Sequence, residues 1–412
     1  MRAALLGNNI YTVKEHNLQV VLLSLLQEES LSRIELAKRI NLSNTTITNL
    51  IAELLEEGLV TERDCNDHEE GSLRPVGRPR TAICLVPEAR FVIGVHVGVG
   101  TYRVALTNLR NEIVVSIRES FDVNALPEVV LDQMVQCIHQ VVQESQVDTA
   151  LIVGVGVGLS GLVEFESGVN VMAPNLNWRD VRVKDYLTEK LSLPVVADNN
   201  VRCMALGETY FGIGRDLESL VFVYGRIGVG AGFINKGEVF RGSNMGAGEI
   251  GHNTLLLSEG ALCRCGKRGC LETLVSETTI IQQGMEIIQT QPNGVLAKIV
   301  DEEPDTNLVD CVFQAARQGD NAVREMLADK AYYLGVALAN MVNLYNPEMI
   351  ILGGLFAQEQ TNFIDPVINT VRQMTFGDLG NRVQIEATSF GWKAGVIGAA
   401  ALALMDFFYL KQ

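Results

Sequence analysis

The sequence lacks the features that mark secreted or membrane chains. No basic-then-apolar leader closing on small residues opens it, so no signal peptide is expected. Its longest uncharged apolar stretches are either glycine-rich (Leu151–Val163) or short (Ala394–Met405). Neither reaches the roughly 20 residues that cross a bilayer, and a cytoplasmic protein is expected. Cysteine is present eight times, yet only Cys263, Cys265 and Cys270 cluster. That suits metal ligation in a reducing compartment better than a disulfide framework. An excess of positive charge is also missing. The net charge of −16 argues against non-specific coating of nucleic acid, although it leaves room for a local DNA-reading module. Residues 1–90 carry 10 basic and 13 acidic side chains, a balance of −3, which leaves −13 for the rest. What remains is a globular composition, 47% hydrophobic and 20% charged, over 412 residues, enough for two or three domains.

The first 90 residues have a texture of their own. Leu18, Val21, Leu22 and Leu25 space one buried face on a helix over Asn17–Gln27. Ser32, with Glu35 three residues on, forms a capping box before a short helix. Asn41-Leu42-Ser43 interrupts it, and Ser43 or Asn44 caps a third helix to about Glu57, closed by Gly58. Leu59-Val60-Thr61 opens a strand, the polar stretch to Gly71 reads as a hairpin tip, and Thr81–Val86 returns. Three helices and a hairpin make a winged helix-turn-helix. Ser43, Asn44, Thr45, Thr46, Thr48 and Asn49 on the third helix are short polar groups suited to phosphates and base edges in a major groove. Arg78 and Arg80, held extended around Pro79, suit a narrow minor groove.

From Phe91 the chain becomes glycine-rich α/β. Strands are expected at Phe91–Val97, Tyr102–Thr107, Ile113–Ser120, Ala150–Val157 and Val195–Asp198, with a helix over Pro127–Gln143. A second set follows: strands at Ser219–Tyr224, Phe233–Asn235 and Met349–Leu352, helical sequence through Asp320–Asn346, and a last helix from Ala394. Two such halves predict a bilobal body with ligands at strand C-terminal ends. The strongest local signal is Gly251-His252 followed by Cys263-Arg264-Cys265-Gly266-Lys267-Arg268-Gly269-Cys270. One imidazole and three thiolates complete a tetrahedral zinc site with no position left for water, so His252, Cys263, Cys265 and Cys270 are expected to hold structural Zn2+.

These segments carry a resemblance. Val223–His252, containing Gly228-Val229-Gly230-Ala231-Gly232 and Gly246-Ala247-Gly248-Glu249-Ile250-Gly251-His252, resembles the signature of the repressor, ORF, kinase (ROK) family. The zinc segment through Cys270-Leu271-Glu272 resembles its second signature. Pro174-Asn175-Leu176-Asn177-Trp178, Ala205-Leu206-Gly207-Glu208 and Gly395–Ala400 extend the likeness over Phe91–Gln412. The winged helix resembles that of the family's repressor branch, the xylose-repressor type in particular. The resemblance implies an actin-like, ribonuclease-H-like bilobal fold, with a winged helix over 1–88, a first lobe over 89–205 plus 390–412, and a second lobe over 206–389. It also implies sugar contacts at Asn175, Asn199, Asn200, Glu249, His252 and Glu272. Paired amides and carboxylates suit adjacent hydroxyls, and His252 would give one ring nitrogen to zinc and the other to the sugar.

Against the family's kinases the sequence departs at three places. His96 stands where an Asp-x-Gly-x-Thr phosphate loop has its aspartate, and is expected to be a buried strand histidine bonded to backbone. Asp198-Asn199-Asn200 stands where kinases have Glu-Asn-Asp, and a neutral amide cannot take the hydroxyl proton. Arg226-Ile227-Gly228 stands for a Gly-Thr-Gly phosphate loop. Loss of the base alone typically costs about 10²–10⁴-fold. The expectation is a non-enzymatic, sugar-responsive repressor of carbohydrate-metabolism genes, a homodimer or dimer of dimers on a palindromic operator, with an aldose of the xylose or glucose class as effector. Its rivals are a sugar kinase with an accessory domain and a repressor controlled by a protein partner such as a sugar-transport component.

Overall fold

The computed structural model describes residues 10–64, 81–257 and 260–411. At the N-terminal end, helices α1 (Ile10–Gln27), α2 (Arg33–Arg39) and α3 (Asn44–Glu56) pack on a sheet of β1 (Leu31–Ser32), β2 (Val60–Asp64) and β3 (Thr81–Leu85), ordered β1-β3-β2. The capping box forms as expected: Ser32 accepts from the Glu35 amide, and Glu35 accepts from the Ser32 amide at 2.8 Å. Ser43, rather than Asn44, caps α3, accepting the Thr46 amide at 3.1 Å. Beyond Glu57, Gly58 takes φ +69, a left-handed turn that glycine adopts without strain. Leu36, Ile47, Ile51 and Leu54 fill the core against Val21, Leu25 and Ile83. Helix α1 starts seven residues before the expected Asn17, and its extra turns are tied to α3 by Lys14 on Glu53 at 2.6 Å. The expected wing tip, with Arg78 and Arg80, lies outside the described residues.

The body repeats one strand pattern twice. In the first lobe β4 (Phe91–Val97), β5 (Thr101–Asn108) and β6 (Ile113–Ser120) form an antiparallel meander. Helix α4 (Pro127–Ser145) leads to β7 (Ile152–Leu159), parallel to β4. A side sheet of β8 (Leu162–Glu164), β9 (Val169–Ala173) and β10 (Trp178–Arg182) follows, then α5 (Val183–Leu191) and β11 (Val195–Asn199), parallel to β7. The strand expected from Ala150 starts at Ile152, because Asp148 caps a 3₁₀ turn over Thr149–Leu151. Helix α6 (Asn200–Phe211) leads into the second lobe, so the expected boundary at 205/206 falls within one continuous helix.

The second sheet is ordered β14-β13-β12-β15-β16, from β12 (Ser219–Gly225), β13 (Val229–Asn235), β14 (Glu238–Phe240), β15 (Met349–Gly354) and β16 (Gln384–Ala387). Here too an antiparallel meander is extended by two parallel strands. Helices α7 (Glu272–Val275), α8 (Glu277–Thr290), α9 (Val295–Glu302), α10 (Leu308–Arg317), α11 (Asn321–Tyr345), α12 (Asp365–Met374) and α13 (Leu379–Arg382) cover it. Strand β13 begins at Val229, ahead of the expected Phe233, because its glycines admit α6: a Cβ at Gly232 would lie 2.6 Å from the Val201 carbonyl.

The chain then returns to the first lobe as α14 (Ala394–Leu404), every residue of it buried. A Cβ at Gly156 would lie 2.0 Å from the Ala399 carbonyl, so this close approach to β7 requires glycine. The apolar run is longer than expected. Gly391–Tyr409 is long and apolar enough to cross a membrane by length and composition, yet it is mostly enclosed by the fold's own elements.

Candidate functional site

The six residues implied as sugar contacts line one cavity of about 510 Å³ between the lobes. The first lobe supplies the C-terminal ends of β7 and β11, the side expected for ligands in parallel sheets. Asn175 comes from the 3₁₀ turn Pro174–Leu176 between β9 and β10. Asn199 is the N-cap of α6: its oxygen accepts the Val201 and Arg202 amides at 2.9 and 3.3 Å, and its nitrogen donates to the Gly161 carbonyl at 2.9 Å. It therefore shapes the floor while much of its bonding capacity is taken. Asn200, buried in the first turn, donates to Ser160 Oγ at 3.3 Å.

Glu249 and Glu272 come from the second lobe. Gly248 takes φ +101, and a Cβ there would lie 1.9 Å from the Ala231 carbonyl, so only glycine lets this segment run along β13 and present Glu249. Burial pushes the Glu249 carboxyl above the ordinary glutamate range, and the His252 and Arg202 charges oppose that shift. Glu272, the first residue of α7, accepts the Val229 amide at 3.1 Å. Arg264 also lines the cavity and donates to Asn175 Oδ1 at 2.5 Å. Sequence reasoning did not single it out. Its position between Cys263 and Cys265 is the signal that points to it, because a loop closing on a metal must turn its intervening side chain outward.

His252, Cys263, Cys265 and Cys270 bring four ligand atoms within 4.8 Å of one another. Cys265 and Cys270 sulfurs lie 3.7 Å apart, and His252 Nδ1 lies 3.7 Å from Cys263 Sγ. Zinc–sulfur bonds of about 2.3 Å at tetrahedral angles place sulfurs roughly 3.8 Å apart, so the donors fit such an ion. Such crowding disfavours three free thiolates: burial, then the neighbouring thiols, pushes Cys270 up to about 12. A cation would reverse that balance. His252 also lines the cavity, so the cysteine–histidine cluster and the pocket share a wall.

The three departures from a kinase fall around the site. The Arg226–Gly228 turn, closed by the Arg226 amide on the Gly228 carbonyl at 2.9 Å, separates the cavity from a second one of about 370 Å³. Gly228 lines the first cavity, whereas Arg226 lines the second and pairs with Glu277 at 3.3 Å. His96 faces the second cavity. Its buried Nε2 has no hydrogen-bond partner among the described residues, so the expected backbone bond is not made through that nitrogen. Burial, aided by Arg103 and Arg226, lowers the His96 pKa to about 4, so the ring is neutral. It packs on Gly395, where a Cβ would come within 2.5 Å.

On the winged helix, Asn44, Thr45, Thr48 and Asn49 are exposed along α3. Ser43 and Thr46 are engaged with each other, their hydroxyls 2.8 Å apart, and Thr48 Oγ1 donates to the Asn44 carbonyl at 2.8 Å. The free helix face is thus carried chiefly by Asn44, Thr45 and Asn49.

Comparison with known proteins places these features. Residues 92–406 match the ROK family, and residues 16–67 match the MarR family. A xylose repressor of Caldicellulosiruptor bescii is 29% identical over 97% of this chain and 98% of its own length. A glucokinase of Halalkalibacterium halodurans is 31% identical over 76% of this chain and 94% of its own. Among solved structures, a ROK family transcriptional regulator described as a homolog of the E. coli MLC protein superposes with a TM-score of 0.81, at 26% identity, over 97% of this chain and 98% of that one. The repressor and the regulator thus match over the whole length, winged helix included, whereas the kinase matches the body alone.

Proposed function

Since the chain belongs to the ROK family, we propose that it is a sugar-responsive transcriptional repressor of carbohydrate-metabolism genes whose kinase-like body binds its effector without phosphorylating it. The observation that carries this reading is the contrast across one turn. Asn175, Asn200, Glu249, His252 and Glu272 converge on one cavity, while the position of the general base holds a carboxamide. An amide still donates to and accepts from a hydroxyl but takes no proton from it. His96 and Arg226 remove the metal-positioning carboxylate and the small phosphate loop on the neighbouring side.

The Cys263–Cys265–Cys270–His252 cluster is assigned to structural Zn2+, with the ion orienting His252 toward the sugar and fixing the loop that carries Arg264. Two winged helices of a homodimer, or of a dimer of dimers, would read a palindromic operator in the cytoplasm through Asn44, Thr45 and Asn49, with Arg78 and Arg80 at the minor groove. The effector class is an aldose such as xylose or glucose, with relief of repression as the expected sign. A thermal-shift screen of pentoses and hexoses tests the pocket. One aldose should raise the melting temperature of the wild type and not of Glu249→Ala; a shift that survives Glu249→Ala places the sugar elsewhere. The kinase reading draws on the 31% identical glucokinase, and an ATP-consumption assay with the same sugars separates it: sustained turnover contradicts the repressor-only reading.

A further inference from the structure

Three carboxamides line the cavity around Glu249, and their neighbours decide which end of each can face a ligand. Asn199 accepts two backbone amides through its oxygen and donates to the Gly161 carbonyl through its nitrogen. Asn200 donates to Ser160 Oγ, whose own proton is directed at the Val97 carbonyl at 3.2 Å, so that hydroxyl can only accept. Asn175 is held differently. Its Oδ1 accepts from Arg264 at 2.5 Å, and Arg264 reaches it from the cysteine loop of the opposite lobe. The two ends of a carboxamide have nearly the same size and are told apart by their partners. A guanidinium carries donors alone, so Arg264 can only be met by the oxygen, and Nδ2 is left to the pocket. The surroundings of Gly228 agree: a Cβ there would lie 3.7 Å from Asn175 Nδ2 and 3.3 Å from Glu272 Oε2. The amide nitrogen and the Glu272 carboxylate therefore meet at one wall of the cavity.

We propose that Arg264 is a positioning residue, which fixes the Asn175 amide as a hydrogen-bond donor to a sugar oxygen, an assignment that rests on the sugar-binding reading of the cavity. A hydroxyl has one proton to give and lone pairs to accept with. A donor beside an acceptor serves it fully: Asn175 gives to its oxygen while Glu272 takes its proton. An unheld amide can turn its oxygen inward, and two acceptors would then compete for that single proton. The lock also depends on how the lobes stand. Asn175 belongs to the first lobe and Arg264 to the second, so parting the lobes frees the amide to turn. A ligand that needs the donor favours the arrangement in which the two residues touch. Arg264 is exposed and is not one of the four cluster residues, so its replacement leaves the core and the cluster standing.

A double-mutant cycle read by calorimetric titration of the full-length chain tests it, with D-xylose, D-glucose, D-galactose, D-mannose and L-arabinose added in turn. For an aldose that binds, Arg264→Met should weaken binding about three- to tenfold, the usual size of one hydrogen bond. Arg264→Lys, which keeps a donor, should recover part of that loss. In the Asn175→Ala background Arg264→Met should cost nothing further, because a residue that acts through Asn175 has nothing left to act on. Metal content and the melting temperature without sugar should not differ between Arg264→Met and the wild type. Equal losses in both backgrounds, or a loss of metal or stability in step with affinity, would overturn the proposal by making Arg264 a direct contact or a mere support of its loop. Wild-type affinity in Arg264→Met also overturns it, as does tighter binding, which would mean that Arg264 blocks Asn175. A wild type that binds none of the five aldoses defeats the sugar-binding reading and this proposal together, whereas sugar binding with any of those three patterns defeats this proposal alone.

Discussion

At the scale of single residues, the proposed separation of binding from catalysis rests on Asn200. Its amide lies against Ser160 Oγ, and a carboxylate there would reverse only one of the three proposed departures from the family's kinases. Asn200→Asp should therefore give no detectable ATP turnover in a coupled ADP assay while His96 and Arg226 remain. A rise approaching the roughly 10²–10⁴-fold worth of a general base would mean those two positions matter little. Arg202 is the residue whose loss should cost the fold most. Its guanidinium, 1% exposed, pairs with Asp198 at 3.2 Å and reaches the carbonyls of Met245 and Ala247, tying α6 to the segment before Glu249. Arg202→Met should lower the unfolding free energy by about 3–5 kcal/mol in urea denaturation, because a buried carboxylate loses one of its two ion-pair partners. The sequence made the chemistry of Asn175, Asn200, Glu249, His252 and Glu272 legible, since each sits within a recognisable motif. It could not separate Asn199's capping role from ligand contact, because an N-cap and a contact use the same amide and only coordinates assign its lone pairs. Arg202 and Arg264 were not singled out, since an arginine reads from sequence as a solvated surface charge.

At the scale of elements, two devices hold the pocket. One is the loop of Cys263, Cys265 and Cys270, which places His252 and Arg264 together. A strong chelator should remove the metal, lower the melting temperature and abolish the sugar-induced shift in the same samples, and readdition of Zn2+ should restore both. An unaltered sugar response after verified metal loss would show that the loop holds its shape unaided. The other is the glycine seam between α6 and α14, where a Cβ at Gly398 would lie 2.5 Å from the Cys203 backbone and a Cβ at Gly207 would lie 3.1 Å from the Gly398 Cα. Gly398→Ala should destabilise the chain by about 1–3 kcal/mol, the usual cost of overpacking a core, seen as a lower urea midpoint. A neutral result would mean the helices can separate freely. Helix α14 itself was legible as apolar, but its close packing was not. Sequence periodicity cannot show which glycines face another backbone, and a helix hydrophobic all round carries no stripe to mark its contact face.

At the scale of the whole molecule, the proposed sugar pocket and the winged-helix head share one packed route. Asn200 opens α6, α6 packs along α14, and α14 continues into Met405–Tyr409 against α1. Tyr409, fully buried, donates to the Leu109 carbonyl at 2.8 Å, and Gln19 of α1 donates to the Lys411 carbonyl at 2.6 Å. The cores of the winged helix and of this C-terminal helix form one cluster, with Leu25 and Ile51 in the same apolar mass as Leu404 and Tyr409. On the proposed reading, a shift of α6 on sugar binding would be felt at the base of the head. Gln19→Ala should leave sugar affinity unchanged and reduce the effect of sugar on operator binding. An unreduced effect would remove this contact from the route. The order of the domains was legible, because the winged helix and the two α/β halves each have their own hydrophobic period. The contact between head and C-terminus was not, since it joins residues almost 400 positions apart.

A sugar held in the cavity around Glu249 should change the chain's grip on DNA without being phosphorylated. Fluorescence anisotropy of the full-length protein on operator DNA, with each aldose added in turn, tests it directly. One aldose should weaken operator binding by about 5–150-fold, the range of ordinary allosteric coupling, with no ADP formed when ATP is present. Glu249→Ala should bind the operator normally and ignore the sugar. An operator affinity that no aldose alters, or a sugar response that survives Glu249→Ala, would contradict the claim.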